Sequence, residues 1–157
     1  MKNLSNGKVK SVNVERKEFV LTDRDGRDQI FKLGDDLVVN RGGKESGGGL
    51  KIDDSVSLYY IEDAPKRTAH YILVREGETK AWQLRRGAFK DYDAAKKAFT
   101  YTDAKGKDWT CAINGSKVRL NMQASKIEDI RNGDTTLAIV DEIADKSTLK
   151  DLMVTRV

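Results

Sequence analysis

The stretch LTDRDGRD at residues 21–28 returns eighty residues later as YTDAKGKD at residues 101–108, and this pair decides how the chain is read. Taken alone, Asp23, Asp25 and Asp28 around Gly26 bring a calcium loop to mind. An EF-hand loop needs oxygen ligands at positions 1, 3 and 5, glycine at 6 and glutamate at 12. Counted from Asp23, the glycine comes at position 4, Arg27 stands at 5 and Gly34 at 12, so the pattern fails. The second copy keeps the threonine, the outer aspartates and the glycine but puts Lys105 where the first has Asp25. A ligand set does not survive exchange of a carboxylate for an ammonium. The exposed tip of a β-hairpin does, and its glycine supplies the φ > 0 that such turns require. The stretch is therefore a turn used twice, and no metal is expected there.

The same register runs through nearly the whole chain without a gap. Gly7 falls on Gly87, Lys17 on Lys97, Phe19 on Phe99, Val38 on Val118, Asp54 on Asp134 and Val74 on Val154. Apolar residues meet apolar residues between these identities, as in Val9/Phe89, Leu33/Ile113, Leu50/Ile130 and Ile72/Leu152. Each copy reads as strands. FVLTD and FTYTD alternate with one apolar face, IFKL and WTCAI follow the turn, and SVSLYYI/TTLAIV and TAHYILV/TLKDLMV come later. GKVKSV and GAFKDY space their apolar residues by three, which predicts a β-bulge bending the first strand. Between the third and fourth strands SKIEDI offers Ser125 and Glu128 as a capping box for a short helical turn, whereas ESGGGL in the first copy predicts a loop. Three strands, a short turn and two strands is the order of an OB-like barrel, with an SH3-like barrel as the alternative. The expectation is a mainly β protein of two tandem five-to-six-stranded small barrels, residues 1–77 and 78–157, related by the 80-residue repeat.

The motifs Gly-x-Val-x-Ser-Val (7–12), Phe-x-Leu-Thr-Asp-x-x-Gly (19–26) and Gly-Asp (133–134) resemble tandem small β-barrel (OB-like) repeats found in bacterial proteins of unknown function. That resemblance implies a barrel and carries no activity with it. The first copy has Asp53-Asp54 where Gly-Asp is expected, so its turn is expected to differ.

Little in the chain points to catalysis. Zinc sites draw on clusters of cysteine and histidine, and there is one of each. His70 aligns with Lys150, which predicts a solvent-facing position, and Cys111 aligns with Phe31, which predicts a buried, inert thiol. In RGGKESGGGL the Gly-Lys pair is followed by glutamate with no helix after it, unlike a phosphate loop. The pairs Asp35-Asp36, Asp53-Asp54 and Asp141-Glu142 lie at strand ends and turns. The reading is no enzyme and no cofactor. A lone cysteine fits a reducing compartment, the first residues show no apolar signal segment, and no apolar run approaches a membrane span. A cytoplasmic protein without a membrane is expected.

Charge gives the one hint of a partner. Residues 1–78 hold 14 basic and 14 acidic side chains, while residues 80–119 hold 10 basic and 4 acidic, together with six of the eleven aromatics. Most of those aromatics align with core positions. Trp82 and Trp109 replace Lys2 and Gln29 and are the better candidates for exposure. The function expected is a non-catalytic binding or scaffold module, its partner another protein or a second copy. The alternative is single-stranded nucleic acid, bound by stacking beside a basic groove through Trp82, Trp109, Arg85, Arg86, Lys90, Lys96, Lys97, Lys107 and Arg119.

Overall fold

The computed structural model describes residues 4–46, 49–63, 65–77, 80–143 and 146–156. It divides into two compact units, Met1–Lys80 and Ala81–Val157. The first contains β1 (Leu4–Asn13), β2 (Glu18–Asp23), β3 (Asp28–Arg41), β4 (Lys44–Ser46), β5 (Ser55–Asp63) and β6 (Lys66–Val74). The second contains β7 (Trp82–Asp93), β8 (Ala98–Thr102), β9 (Asp108–Leu120), β10 (Gln123–Ala124), β11 (Thr135–Ile143) and β12 (Lys146–Thr155), with a 3-10 turn at Ile127–Asp129. Among the described residues no helix is long and apolar enough to cross a membrane.

The strand order in the first unit is β2-β1-β5-β6-β3-β4, closed by a further β2–β3 pairing. The second unit has the same order in its own strands, β8-β7-β11-β12-β9-β10, closed by β8–β9. In each, the third strand lies parallel to the last, β3 with β6 and β9 with β12. A parallel pair needs a crossover connection, so these Greek-key barrels take the OB-like order and not that of an all-antiparallel SH3-like barrel.

The bulges fall at equivalent places. Pairing shifts between Val9 and Ser11 on β1 and between Phe89 and Asp91 on β7, as the apolar spacing of three predicts. A second bulge turns out His70 on β6 and Lys150 on β12, a feature strict alternation does not announce. Each core is filled from the inward row of its strands: Val9, Phe19, Leu21 and Phe31 in the first unit, Phe89, Phe99, Tyr101 and Cys111 in the second. Volume is exchanged between neighbours. Phe31 shrinks to Cys111 while Val9 grows to Phe89 and Leu21 to Tyr101, which keeps each interior filled, as close-packed cores require.

Two local expectations are corrected. The Ser125–Glu128 capping box does not form: the helical turn starts after Lys126, with no side-chain cap, and the Ser125 hydroxyl lies 3.3 Å from the Asp129 carboxylate. A three-residue 3-10 turn is too short to complete the reciprocal bonds of a box. It serves instead to place Ile127 and Ile130 in the core. The turn at Asp53-Asp54 does not differ from Gly133-Asp134. Asp53 takes φ 73° where Gly133 takes 93°. Asp53 N donates to Val9 O at 2.8 Å and Val9 N to Asp54 O at 2.9 Å, matched by Gly133 N to Phe89 O and Phe89 N to Asp134 O, both 2.8 Å. The backbone is thus held left-handed by the adjoining strand, and an aspartate accepts the strain that glycine avoids.

Candidate functional site

The paired turns that opened the sequence reading are built identically. Asp23 Oδ1 accepts from Asp25 N at 2.9 Å and Arg27 N at 3.0 Å, while Oδ2 accepts from Gln29 Nε2 at 2.6 Å. Asp103 Oδ1 accepts from Lys105 N at 2.9 Å and Lys107 N at 3.0 Å, and Oδ2 from Trp109 Nε1 at 2.8 Å. Asp28 accepts from Lys10 Nζ and Thr22 Oγ1 at 2.6 and 2.8 Å, and Asp108 from Lys90 Nζ and Thr102 Oγ1 at 2.5 and 2.7 Å. The bulge residues Lys10 and Lys90 thereby pin the hairpin to the first strand of each barrel.

These contacts hold all four carboxyls below their usual range. The Arg27 amide leads for Asp23, the indole N–H for Asp103, and the two lysines for Asp28 and Asp108. Asp54 and Asp134 form a third pair. Burial opposes ionisation of Asp54, but the Arg41 guanidinium and the Lys51 amide outweigh it; Arg156 does the same for Asp134.

The residues picked from sequence in the second unit are dispersed and mostly engaged. Arg85 donates from Nε to Glu142 at 2.9 Å. Lys90 belongs to the hairpin clasp already described. Arg119 lies against Asp151 at 2.8 Å, the two side chains 11% and 10% exposed. Lys96 and Lys97 are exposed in the β7–β8 turn, where Lys97 adopts φ 50° and its carbonyl accepts from Ile113 N. Trp82, Trp109 and Arg86 are half-buried.

Both tryptophans have cations close to their rings. Trp109 packs on the core, with Lys107 Nζ 4.2 Å and the Arg85 guanidinium carbon 6.0 Å from its ring centre. Lys150 Nζ stands 5.7 Å from the Trp82 ring. The outer face of β8 and β9 carries Thr100 and Thr110, their hydroxyls 3.0 Å apart, and no aromatic. Cys111 is buried, its thiol pushed up to about 12 chiefly by desolvation. His70 Nδ1 lies 2.7 Å from Asp36.

Two grooves that sequence reasoning missed lie on the first unit. One, of about 590 Å³, lies between the β2–β3 turn and the β5–β6 hairpin, where Arg67 donates to Gln29 Oε1 at 2.7 Å and sits 6.0 Å from the Tyr60 ring. The other, of about 600 Å³, is bounded by β1, the end of β2 and the entry to β5, with Lys8, Lys10, Arg24 and Arg75 in its walls. A first half with zero net charge gave no signal of it.

No protein-family model matches the chain, and no curated protein matches it in sequence. Among solved structures it is similar to a crystal structure of Ag(I)CusF, with 14% identity and a TM-score of 0.36, over 46% of this chain and 95% of that one.

Proposed function

We propose that the chain is a non-catalytic binding module made of two small barrels. The observation that carries this reading is the pairing of the perturbed carboxylates. Strongly shifted acids mark functional sites because active sites are where such environments are assembled. Here Asp23/Asp103, Asp28/Asp108 and Asp54/Asp134 are shifted in the same direction at equivalent places in both barrels, each by donors that close a turn or clasp a strand. That is the signature of groups used to build a barrel twice. A cytoplasmic setting goes with this reading.

The reading is tested by thermal denaturation of Asp23→Asn, Asp103→Asn, Asp28→Asn and Asp108→Asn. Each is expected to lower the Tm of its own unit, because each removes a charge-assisted acceptor for turn amides or a lysine. Residues held for catalysis behave in the opposite way, since active sites are commonly strained and their removal stabilises. A rise in Tm in any of the four would sink the structural assignment of that pair.

A second reading, single-stranded nucleic acid on the second unit, is favoured by one observation: Lys105 and Lys107 stand exposed together at the β8–β9 turn beside Trp109. It is checked by anisotropy of a labelled oligothymidylate at two salt concentrations. Under the module reading, Trp109→Ala leaves any binding unchanged. Steeply salt-dependent binding that Trp109→Ala abolishes would replace it with the nucleic-acid reading.

A further inference from the structure

The two barrels treat one place differently. Where the first unit has Gln29 the second has Trp109, and both side chains reach the aspartate of the hairpin turn. Gln29 Nε2 donates to Asp23 Oδ2 at 2.6 Å, and Trp109 Nε1 to Asp103 Oδ2 at 2.8 Å. From there the indole packs on the core, with Lys107 Nζ 4.2 Å and the Arg85 guanidinium carbon 6.0 Å from its ring centre. Arg85 is itself held by Glu142 at 2.9 Å. Gln29 carries no ring to fill the same space. Its Oε1 accepts from Arg67 at 2.7 Å, and the groove of about 590 Å³ stays open between the β2–β3 turn and the β5–β6 hairpin.

The frame around that ring recurs in the first unit. Arg27 stands where the second unit has Lys107, and Glu62 where it has Glu142. Arg67, 3.5 Å from Glu62, supplies from β6 the guanidinium that Arg85 supplies from β7. The two arginines have only Ser147 and Ser5 as sequence counterparts, so each barrel has placed a guanidinium beside this glutamate by its own route. Arg27, Glu62 and Arg67 all line the groove. Two further walls are more apolar than their counterparts. Ile30, 62% exposed, replaces Thr110, whose hydroxyl lies 3.0 Å from that of Thr100. Tyr60 brings a half-buried ring, 6.0 Å from the Arg67 guanidinium carbon, where the second unit has Val140.

We propose that this groove binds a small ligand through a planar aromatic ring of indole size, seated where the second barrel seats its own Trp109. The assignment gives a ligand class to the binding module proposed above and rests on that reading. Ile30 and Tyr60 offer apolar surface for the ring to cover, and an aromatic pair adds to the gain from burial. Arg27 and Arg67 face the ring as Lys107 and Arg85 face Trp109, because a cation is drawn to the negative face of a π-system. Arg67 is already fixed by Gln29 and Glu62, so little side-chain order is lost on binding. The groove volume lies within the ~300–1,000 Å³ usual for small-ligand sites.

The experiment is a titration of the isotope-labelled full chain with indole, followed through its amide NMR shifts, with cyclohexanol as a non-aromatic probe. Saturable shifts are expected at Arg27, Gln29, Ile30, Glu62 and Arg67. Binding should be lost in Gln29→Trp, which puts the second unit's residue into the groove. It should weaken about two- to fivefold in Arg27→Ala, which removes one exposed cation and leaves the turn amides in place. Lys107→Ala, the matching change in the second unit, should leave it unaltered. No saturable shift, shifts confined to the second unit, or full binding by Gln29→Trp or Arg27→Ala would overturn the groove assignment. Equal losses in Arg27→Ala and Lys107→Ala would do the same. Equal binding of cyclohexanol would overturn the aromatic class. Tighter binding of a capped Gly-Trp-Gly peptide than of indole would overturn the small ligand in favour of a protein partner's tryptophan. Each of these results leaves the module reading standing, since that reading is decided by the Tm of the four Asp→Asn variants.

Discussion

Gly7→Ala is expected to destabilise the first unit by roughly 3 kcal/mol or more, at the upper end of overpacking costs. A Cβ at Gly7 would lie 2.2 Å from Thr22 O and 2.9 Å from Asp23 Cα, both backbone atoms of the adjoining strand that cannot swing aside. Gly87→Ala meets Thr102 O at 2.5 Å and the Tyr101 ring at 2.8 Å, and should cost the second unit a similar amount. The strain is steric. At both places the first strand of the barrel coils between two partners, pairing with β2 and β5 in one unit and with β8 and β11 in the other, and the backbones come too close for any side chain. For a unit of about 80 residues, roughly 3 kcal/mol is a large share of a stability of ~0.05–0.15 kcal/mol per residue. Both tryptophans belong to the second unit, so their fluorescence follows that unit, while far-UV circular dichroism follows both. Gly87→Ala should shift the fluorescence transition to lower denaturant, and Gly7→Ala should shift the dichroism transition. An unaltered midpoint in either would show that the strands can part by the required ångström at no cost.

These glycines also show what kind of information a sequence carries well. Gly7 and Gly87 are visible as a matched pair eighty residues apart, as are the hairpin aspartates, because turn geometry and backbone contact admit few residue types. The bulge at Lys10 and Lys90 is legible for the same reason, through the apolar spacing around it. The turn at Asp53 misled because glycine is only the easiest occupant of a left-handed position, and the bonds to Val9 hold an aspartate there as well. The candidate site was harder to read because neutralisation is a long-range matter. Arg85 meets Glu142 across 57 residues and Arg119 meets Asp151 across 32, so a count of basic residues over 80–119 includes charges the fold has already matched. The groove on the first unit was hidden by the converse effect. Its cations come from three separate segments of a neutral half and meet only in the folded barrel.

The second large effect concerns the clamp on Asp54. Arg41 donates from Nη1 and Nη2 to its two carboxylate oxygens at 3.1 and 2.6 Å, and from Nη2 to Gly49 O at 2.6 Å. In the second unit Arg156 donates from Nε and Nη2 to Asp134 at 3.1 and 2.6 Å, and from Nη2 to Asp129 O at 2.9 Å. The acceptors are equivalent but the arginines are not: Arg41 ends β3, where the second unit has Asn121, and Arg156 follows β12, where the first has Glu76. Two neighbouring parallel strands have thus each supplied the guanidinium once. Arg41→Ala leaves a carboxylate that is only 11% exposed without its counter-charge, and should cost the first unit about 2 kcal/mol at neutral pH. Because the folded pKa of Asp54 lies below its unfolded value, the clamp stabilises above about pH 4 and that contribution is lost as pH falls further. Burial is already the largest single influence on this carboxyl, and without the guanidinium only the Lys51 amide and charge oppose it, so acidification toward pH 4 should penalise the variant less than the parent. Arg41→Asn combined with Glu76→Arg installs the arrangement of the second unit in the first and should recover most of the lost stability and the original acid limb. Recovery by Arg41→Asn alone would mean that the charge is dispensable, and the clamp would then be a packing contact instead of an electrostatic one.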